Sequence, residues 1–173
     1  PANGSSGRST GWSSTPRKVW EKGQEDRYAD PGFPVRRPPS PLIMQVGDSI
    51  YLTGNGASPK GDLPFLDRLN LATLATERLW RSADDAYESV VGLVDDNGVR
   101  VITRRETSQT PPNYIMRDRT ANTMSAITSF KDPHPQLSDV QKRFVTYKRN
   151  DSVTLSGTIY LPPSYKPGER LPM

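Results

Sequence analysis

Val153-Thr154-Leu155-Ser156-Gly157-Thr158-Ile159-Tyr160-Leu161, closed by Pro162-Pro163, is the most regular stretch of the chain. Val153, Leu155, Gly157, Ile159 and Leu161 alternate with Thr154, Ser156, Thr158 and Tyr160. Successive side chains of a strand point to opposite faces, so this period of two predicts a half-buried β-strand. Proline cannot donate to a ladder, and Pro162-Pro163 ends it. Just upstream, residues 144–148 read as a partner strand and Asn150-Asp151 as the turn of a hairpin.

Towards the N-terminus the pattern becomes a series of short apolar runs separated by turns: residues 42–46, 50–53, 65–69, 77–80, 88–94, 99–103, 114–117 and 126–130. Strands at such intervals predict an all-β architecture. Asp95-Asp96-Asn97-Gly98 suits a hairpin connection, because Asn-Gly accepts the positive φ of tight turns. Residues 50–80 and 99–130 repeat one order of strand, polar loop, strand, turn and strand, at an interval of about fifty residues, within the range of β-propeller blades. One segment has a competing reading: Leu71, Leu74, Ala75 and Leu79 fall at helical spacing among good helix formers. Before the strands, residues 1–17 are rich in Gly, Ser, Thr and Pro and predict a polar loop without function. Asp30-Pro31-Gly32 is a turn, and Pro34, Pro38, Pro39 and Pro41 exclude a central strand.

Composition agrees with a turn-rich β chain: 33% hydrophobic residues, 17 Pro and 13 Gly in 173 residues. The net charge of +4 is spread thinly. Arg36-Arg37 is followed by proline and Arg104-Arg105 by an acid, without a basic stripe or interleaved stacking aromatics, so neither a nucleic acid nor a membrane partner is expected. With no cysteine, disulfides and thiolate metal sites are excluded. No apolar run approaches the roughly 20 residues of a membrane helix. The chain opens at Pro1 and closes at Leu171-Pro172-Met173, directly after a strand and a Pro/Gly-rich loop, which predicts a piece of a longer polypeptide.

Particular strings carry a resemblance. Gly54-Asn55-Gly56-Ala57-Ser58-Pro59-Lys60-Gly61-Asp62 with Pro64-Phe65-Leu66-Asp67, Tyr87-Glu88-Ser89-Val90-Val91, and Thr103-Arg104-Arg105-Glu106 with Pro112-Asn113-Tyr114 resemble the final propeller blades of the glutamyl endopeptidase branch of the prolyl oligopeptidase family. His134-Pro135-Gln136-Leu137, Gln141-Lys142, Tyr147-Lys148-Arg149 and Leu161-Pro162-Pro163-Ser164-Tyr165 resemble the crossing from propeller to α/β-hydrolase domain. Glu25-Asp26-Arg27-Tyr28-Ala29-Asp30-Pro31-Gly32 resembles the loop entering an earlier blade. Several members carry Asp-Gly in place of Asp151-Ser152 and Thr-Gly in place of Leu74-Ala75, departures that bear on the geometry of two turns.

The resemblance implies a mainly β piece: terminal propeller blades over residues 1–136, then over residues 137–173 the truncated beginning of an α/β-hydrolase domain. It implies a parent serine peptidase, with a Ser-Asp-His triad cleaving peptides after acidic residues and no cofactor. Such relatives occur in plant plastids and in bacteria, there often outside the cytoplasm, the setting favoured here. The family's nucleophile sits in Gly-x-Ser-x-Gly, which this chain lacks; Gly4-Ser5-Ser6-Gly7 has the wrong spacing. The piece is therefore expected to be scaffold and part of a gate, with no catalytic residue of its own. The competing expectation is a non-catalytic propeller or β-sandwich module that binds protein or glycan.

Among individual residues, Arg104 and Arg105 are the candidate substrate contacts, because a guanidinium grips a carboxylate with two parallel bonds. Neighbours on a strand face opposite ways, so at most one of them faces a shared cavity. His134, the only histidine, lies between two prolines and reads as part of a rigid crossing. Asp84-Asp85 and Asp95-Asp96 read as solvated turn aspartates rather than a metal cage, so no metal is expected. Gly54-Asn55-Gly56 is read as a flexible loop, since it lacks the third glycine of a dinucleotide site and the Gly-Lys-Ser/Thr of a P-loop.

Overall fold

The computed structural model describes residues 15–23 and 26–171. Gly4-Ser5-Ser6-Gly7, most of the polar entry, Glu25 and the terminal Pro172-Met173 lie outside the described residues. Everything regular among the described residues is β, apart from one 3-10 turn at Pro135–Leu137.

The first sheet is built from β1 (Phe33–Pro34), β2 (Gln45–Val46) and β3 (Ser49–Gly54). After a small hairpin, β4 (Ala57–Ser58) with β5 (Gly61–Asp62), it continues with β6 (Phe65–Asn70) and β7 (Thr76–Arg81). Its order is β1-β3-β6-β7, antiparallel throughout, with β2 also paired to β3. Pro34 sits in the edge strand, where its missing N–H costs no ladder bond. Of the expected run 42–46 only Gln45–Val46 joins the ladder, while Ile43 makes a single bridge to Arg36.

The second sheet runs β8 (Tyr87–Leu93), β9 (Arg100–Glu106), β10 (Asn113–Asp118) and β11 (Thr123–Ala126) in sequence order. The two halves of the sequence repeat thus become two four-strand paths. In each, a first strand is followed by the three that the repeat marks. The β8–β9 loop is tied by Asp95, whose carboxylate accepts the N–H groups of Val99 (2.9 Å) and Arg100 (2.8 Å). Only Gly98 takes a positive φ there, 63°.

Two local expectations give way to turn chemistry. The helical reading of residues 71–79 fails because the Asn70 side chain accepts the N–H groups of Ala72 and Thr73, each at 2.9 Å, and Leu74 turns to φ 62°. The chain reverses there and re-enters as β7. The strand expected at 126–130 lies earlier: Asp118 accepts from Thr120 and Ala121, Asn122 takes φ 53°, and β11 starts at Thr123. Residues beyond Ala126 fold back onto Asn113, whose Oδ1 accepts the Thr128 hydroxyl (2.9 Å) and the Phe130 N–H (2.6 Å).

The sheets pack through Met44, Tyr51 and Leu66 of the first half and Val101 of β9, with Leu79, Trp80, Val90 and Leu93 around them. Leu66 and Val101 have no exposed surface, and each such side chain contributes about 1.5–3 kcal/mol. Polar contacts fix the pair: the Tyr51 hydroxyl donates to the Asp96 carbonyl at 2.8 Å, and Arg119 donates to the Leu79 carbonyl at 2.7 Å and the Gly98 carbonyl at 2.6 Å. A second cluster, Ile50, Leu52 and Leu69 with Leu71, occupies the other face of the first sheet.

The last element is the hairpin of β12 (Gln141–Lys148) and β13 (Thr154–Leu161), paired from Gln141↔Leu161 to Lys148↔Thr154. Strand, turn and stop at Pro162 agree with the alternation. The half-buried face holds in part: Leu155, Gly157 and Leu161 are half-buried between exposed Thr154, Ser156, Thr158 and Tyr160, whereas Val153, just before the strand, stays 45% exposed and Ile159 44%, neither hydrophobic cluster including a residue of the hairpin.

Candidate functional site

Where the second sheet, the crossing and the hairpin meet, a cleft of about 840 Å³ opens. Its walls come from the turn before β8 (Asp84, Asp85), Tyr87 at the start of β8, the end of β9 and its loop (Glu106 to Pro112), the segment before the hairpin (Asp132 to Val140), and Lys142 and Tyr160 of the hairpin. Three parts of the chain that are distant in sequence converge here, as is common where pockets form between substructures. Burial, with the nearby charges of Asp62 and Glu106, raises the Tyr87 hydroxyl above its ordinary value of 10.0. Tyr87 therefore stays a neutral donor and acceptor at the cleft.

The charges behind the wall are organised around Glu88, whose side chain is only 4% exposed. Arg117 donates to both its oxygens, Nε at 3.0 Å and Nη2 at 2.8 Å, and stacks 5.5 Å from the Trp80 ring centre on β7. Arg105 approaches the same carboxylate at 3.7 Å and donates to Asp85 at 3.0 Å. Arg104 pairs with Glu106 on its own strand at 3.3 Å. The two arginines thus have separate partners, as alternation requires. Neither lines the cleft directly, and Arg105 stands one ion pair behind it.

His134 lines the cleft and precedes the 3-10 turn; its side chain is exposed and its N–H donates to Asp132 at 2.8 Å. Asp84 pairs with Lys60 at 2.6 Å and Asp96 with Arg37 at 2.8 Å. The structure does not bring Asp84-Asp85 and Asp95-Asp96 together, and no cluster of three metal-ligating residues occurs among the described residues. Gly54-Asn55-Gly56 is not a slack loop. A Cβ on Gly56 (φ 61°) would lie 2.1 Å from the Leu63 carbonyl oxygen, and one on Gly54 would meet the Phe65 ring at 2.7 Å. Close packing explains these glycines.

Sequence reading misses the Glu88–Arg117 pair and the contribution of Lys142 and Tyr160. A signal for the first existed: in the register of β8, β9 and β10, Glu88, Arg105 and Asn113 share a face, while the inward Val101 pairs with Arg117. Charges placed on an inward face must be paired there.

No family model matches the chain. Among curated proteins, the probable chloroplastic glutamyl endopeptidase of Oryza sativa subsp. japonica is 33% identical over 176 residues, 92% of this chain and 19% of its own length. Its counterpart in Arabidopsis thaliana is 32% identical over 177 residues, covering 92% of this chain and 18% of that protein. Along 92% of its length this chain is similar to these glutamyl endopeptidases. It spans about a fifth of the length of those glutamyl endopeptidases, 19% and 18%. Among solved structures, the AtxE2 isopeptidase is similar with astexin3-dC4 bound (TM-score 0.45, 21% identity) and without ligand (0.46, 22%). Each covers 72% of this chain and 18% of the isopeptidase.

Proposed function

We propose that this chain is a segment of a serine-type peptidase of the prolyl oligopeptidase family, contributing scaffold and one wall of the passage by which peptides reach a hydrolase domain. Kinship with glutamyl endopeptidases along 92% of the chain carries the reading. Two observations support its finer parts. The paired four-strand paths β1-β3-β6-β7 and β8-β9-β10-β11 have the size and order of successive propeller blades. The isolated hairpin β12–β13, with Phe144, Tyr147 and Ile159 exposed, suits the first strands of a larger sheet. On this reading residues 1–136 are late blades and residues 137–173 begin the hydrolase domain. The chain itself supplies no nucleophile, and the substrate is a peptide cut after acidic residues.

The test uses the intact polypeptide. Treated with a fluorophosphonate probe, it is expected to label at one serine within Gly-x-Ser-x-Gly and to lose cleavage of a glutamate-containing peptide in step. An intact polypeptide that neither labels nor cleaves would overturn the proposal in favour of a binding module. The segment alone is expected to do neither.

A further inference from the structure

We propose that Met124 is a site of reversible oxidation by peroxide, and that its sulfoxide oxygen is captured by the guanidinium of Arg117. The proposal is independent of the peptidase reading, since it concerns the outer edge of the second sheet and draws on no catalytic domain.

Met124 lies on β11, the last strand of that sheet, which pairs with β10 alone. In the register it stands directly opposite Arg117, and opposed side chains of an antiparallel pair are near enough to interact. Arg117 donates from Nη2 to the Met124 sulfur at 3.0 Å. A thioether is a weak acceptor, so a charged donor aimed at it is poorly matched. The guanidinium has little choice of position. Its Nε donates to one oxygen of Glu88 at 3.0 Å and its Nη2 to the other at 2.8 Å, while its plane rests 5.5 Å from the Trp80 ring centre. Nη2 carries two hydrogens, so one serves the buried carboxylate and the other is presented to the sulfur.

Exposure separates Met124 from the other described methionines. It is 56% exposed, whereas Met44 is 5% exposed in the core between the sheets. Met116 is half-buried and, as the strand neighbour of Arg117, faces the opposite side of β10. An oxidant in water therefore meets the Met124 sulfur first. With hydrogen peroxide the step balances by itself: a sulfur lone pair attacks one peroxide oxygen, the O–O bond breaks, and the leaving hydroxide takes the proton of the transferred hydroxyl to become water. Sulfur is oxidised and the peroxide reduced by the same electron pair. Inside a core the polar sulfoxide disrupts packing. At Met124 it puts a strong acceptor in the place of a weak one, beside a cation already held there, and the second Nη2 hydrogen meets it without leaving Glu88. Oxidation thus fastens the edge strand β11 to β10 instead of loosening it.

The experiment exposes the full chain to rising hydrogen peroxide, locates the oxidised methionines by peptide mass mapping, and follows the Arg117 guanidinium NMR signals and the thermal midpoint. Met124 is expected to gain an oxygen while Met44 is still reduced. The Arg117 Nε and Nη signals are expected to shift with that step and to return after treatment with methionine sulfoxide reductases, which act on both sulfoxide epimers. The midpoint is expected to hold or rise. Met124→Leu, a change on an exposed edge strand, removes the sulfur and serves as the control for oxidation elsewhere; its Arg117 signals are expected to ignore peroxide. Oxidation of Met44 as early as Met124, Arg117 signals that stay in place when Met124 is oxidised, or a peroxide-induced fall in midpoint larger in the parent than in Met124→Leu would each overturn the proposal.

Discussion

A carboxylate as enclosed as that of Glu88 needs both oxygens satisfied, and Arg117 does this while its guanidinium rests on Trp80 of the first sheet. Removing one member of such a pair leaves an uncompensated buried charge, at a cost of about 3–5 kcal/mol. Glu88→Ala is therefore expected to lower the free energy of unfolding in urea by about 3 kcal/mol, whereas Lys60→Ala, at an exposed pair, changes it by less than about 1 kcal/mol. Asp95 gives a pH dependence. Burial raises its pKa, but the N–H groups of Arg100 and Val99 and the Arg100 guanidinium together outweigh this and hold it below its ordinary value of 3.8. A carboxyl whose folded pKa is depressed contributes stability above its unfolded value and loses it as the pH falls through the folded one. Stability is thus expected to fall below about pH 4, with a flatter acid limb in Asp95→Asn, as read from urea unfolding at successive pH values. The role of Asp95 is only partly legible in the sequence: Asp-Asp-Asn-Gly marks a turn, but which aspartate caps it depends on the register of β8 and β9.

Turns decide what was legible at the level of elements. The hairpin β12–β13 reads directly from its alternation, and its positive-φ residue is Ser152, at 68°. The turn takes this left-handed conformation without a glycine. A non-glycine residue there carries a steric cost, so Ser152→Gly is expected to stabilise the chain by about 0.5–1 kcal/mol, measured as a rise in thermal midpoint. At Leu74-Ala75 the left-handed residue is again not a glycine but Leu74, at 62°. The helical periodicity of residues 71–79 misleads because spacing alone does not register the Asn70 side chain, which accepts two N–H groups and closes a turn instead. The fourth strand of the second sheet shifts for the same reason: Asp118 and Asn122 set a turn earlier than the apolar residues of 126–130 suggest. The exposure of Ile159 in the hairpin was not legible, since alternation specifies a face and not what covers it. Unpaired on both edges, this element is also the expected point of self-association.

For the whole molecule, the two sheets form one packed unit through Tyr51, Leu66 and Val101, joined by Tyr51 and Arg119 to backbone carbonyls across the interface. The hairpin lies outside both clusters. Amide exchange is therefore expected to be slowest in β3, β6 and β9 and faster in β12 and β13. Arg119→Leu should accelerate β6 and β9 together while leaving the hairpin unchanged, whereas equal protection throughout would mean that the hairpin belongs to the same cooperative unit. The repeat at an interval of about fifty residues made this pairing foreseeable, but the cleft was not, because its walls come from three separated segments and depend on how the crossing folds back onto Asn113. The proposed function makes these sheets and this hairpin the late scaffold and the entry to the catalytic domain of a serine peptidase. Reading the encoding DNA beyond codon 173 tests it most directly. An open frame carrying Gly-x-Ser-x-Gly, then an aspartate and a histidine in triad order, is expected; a stop codon directly after Met173, in genomic sequence, would contradict the proposed function.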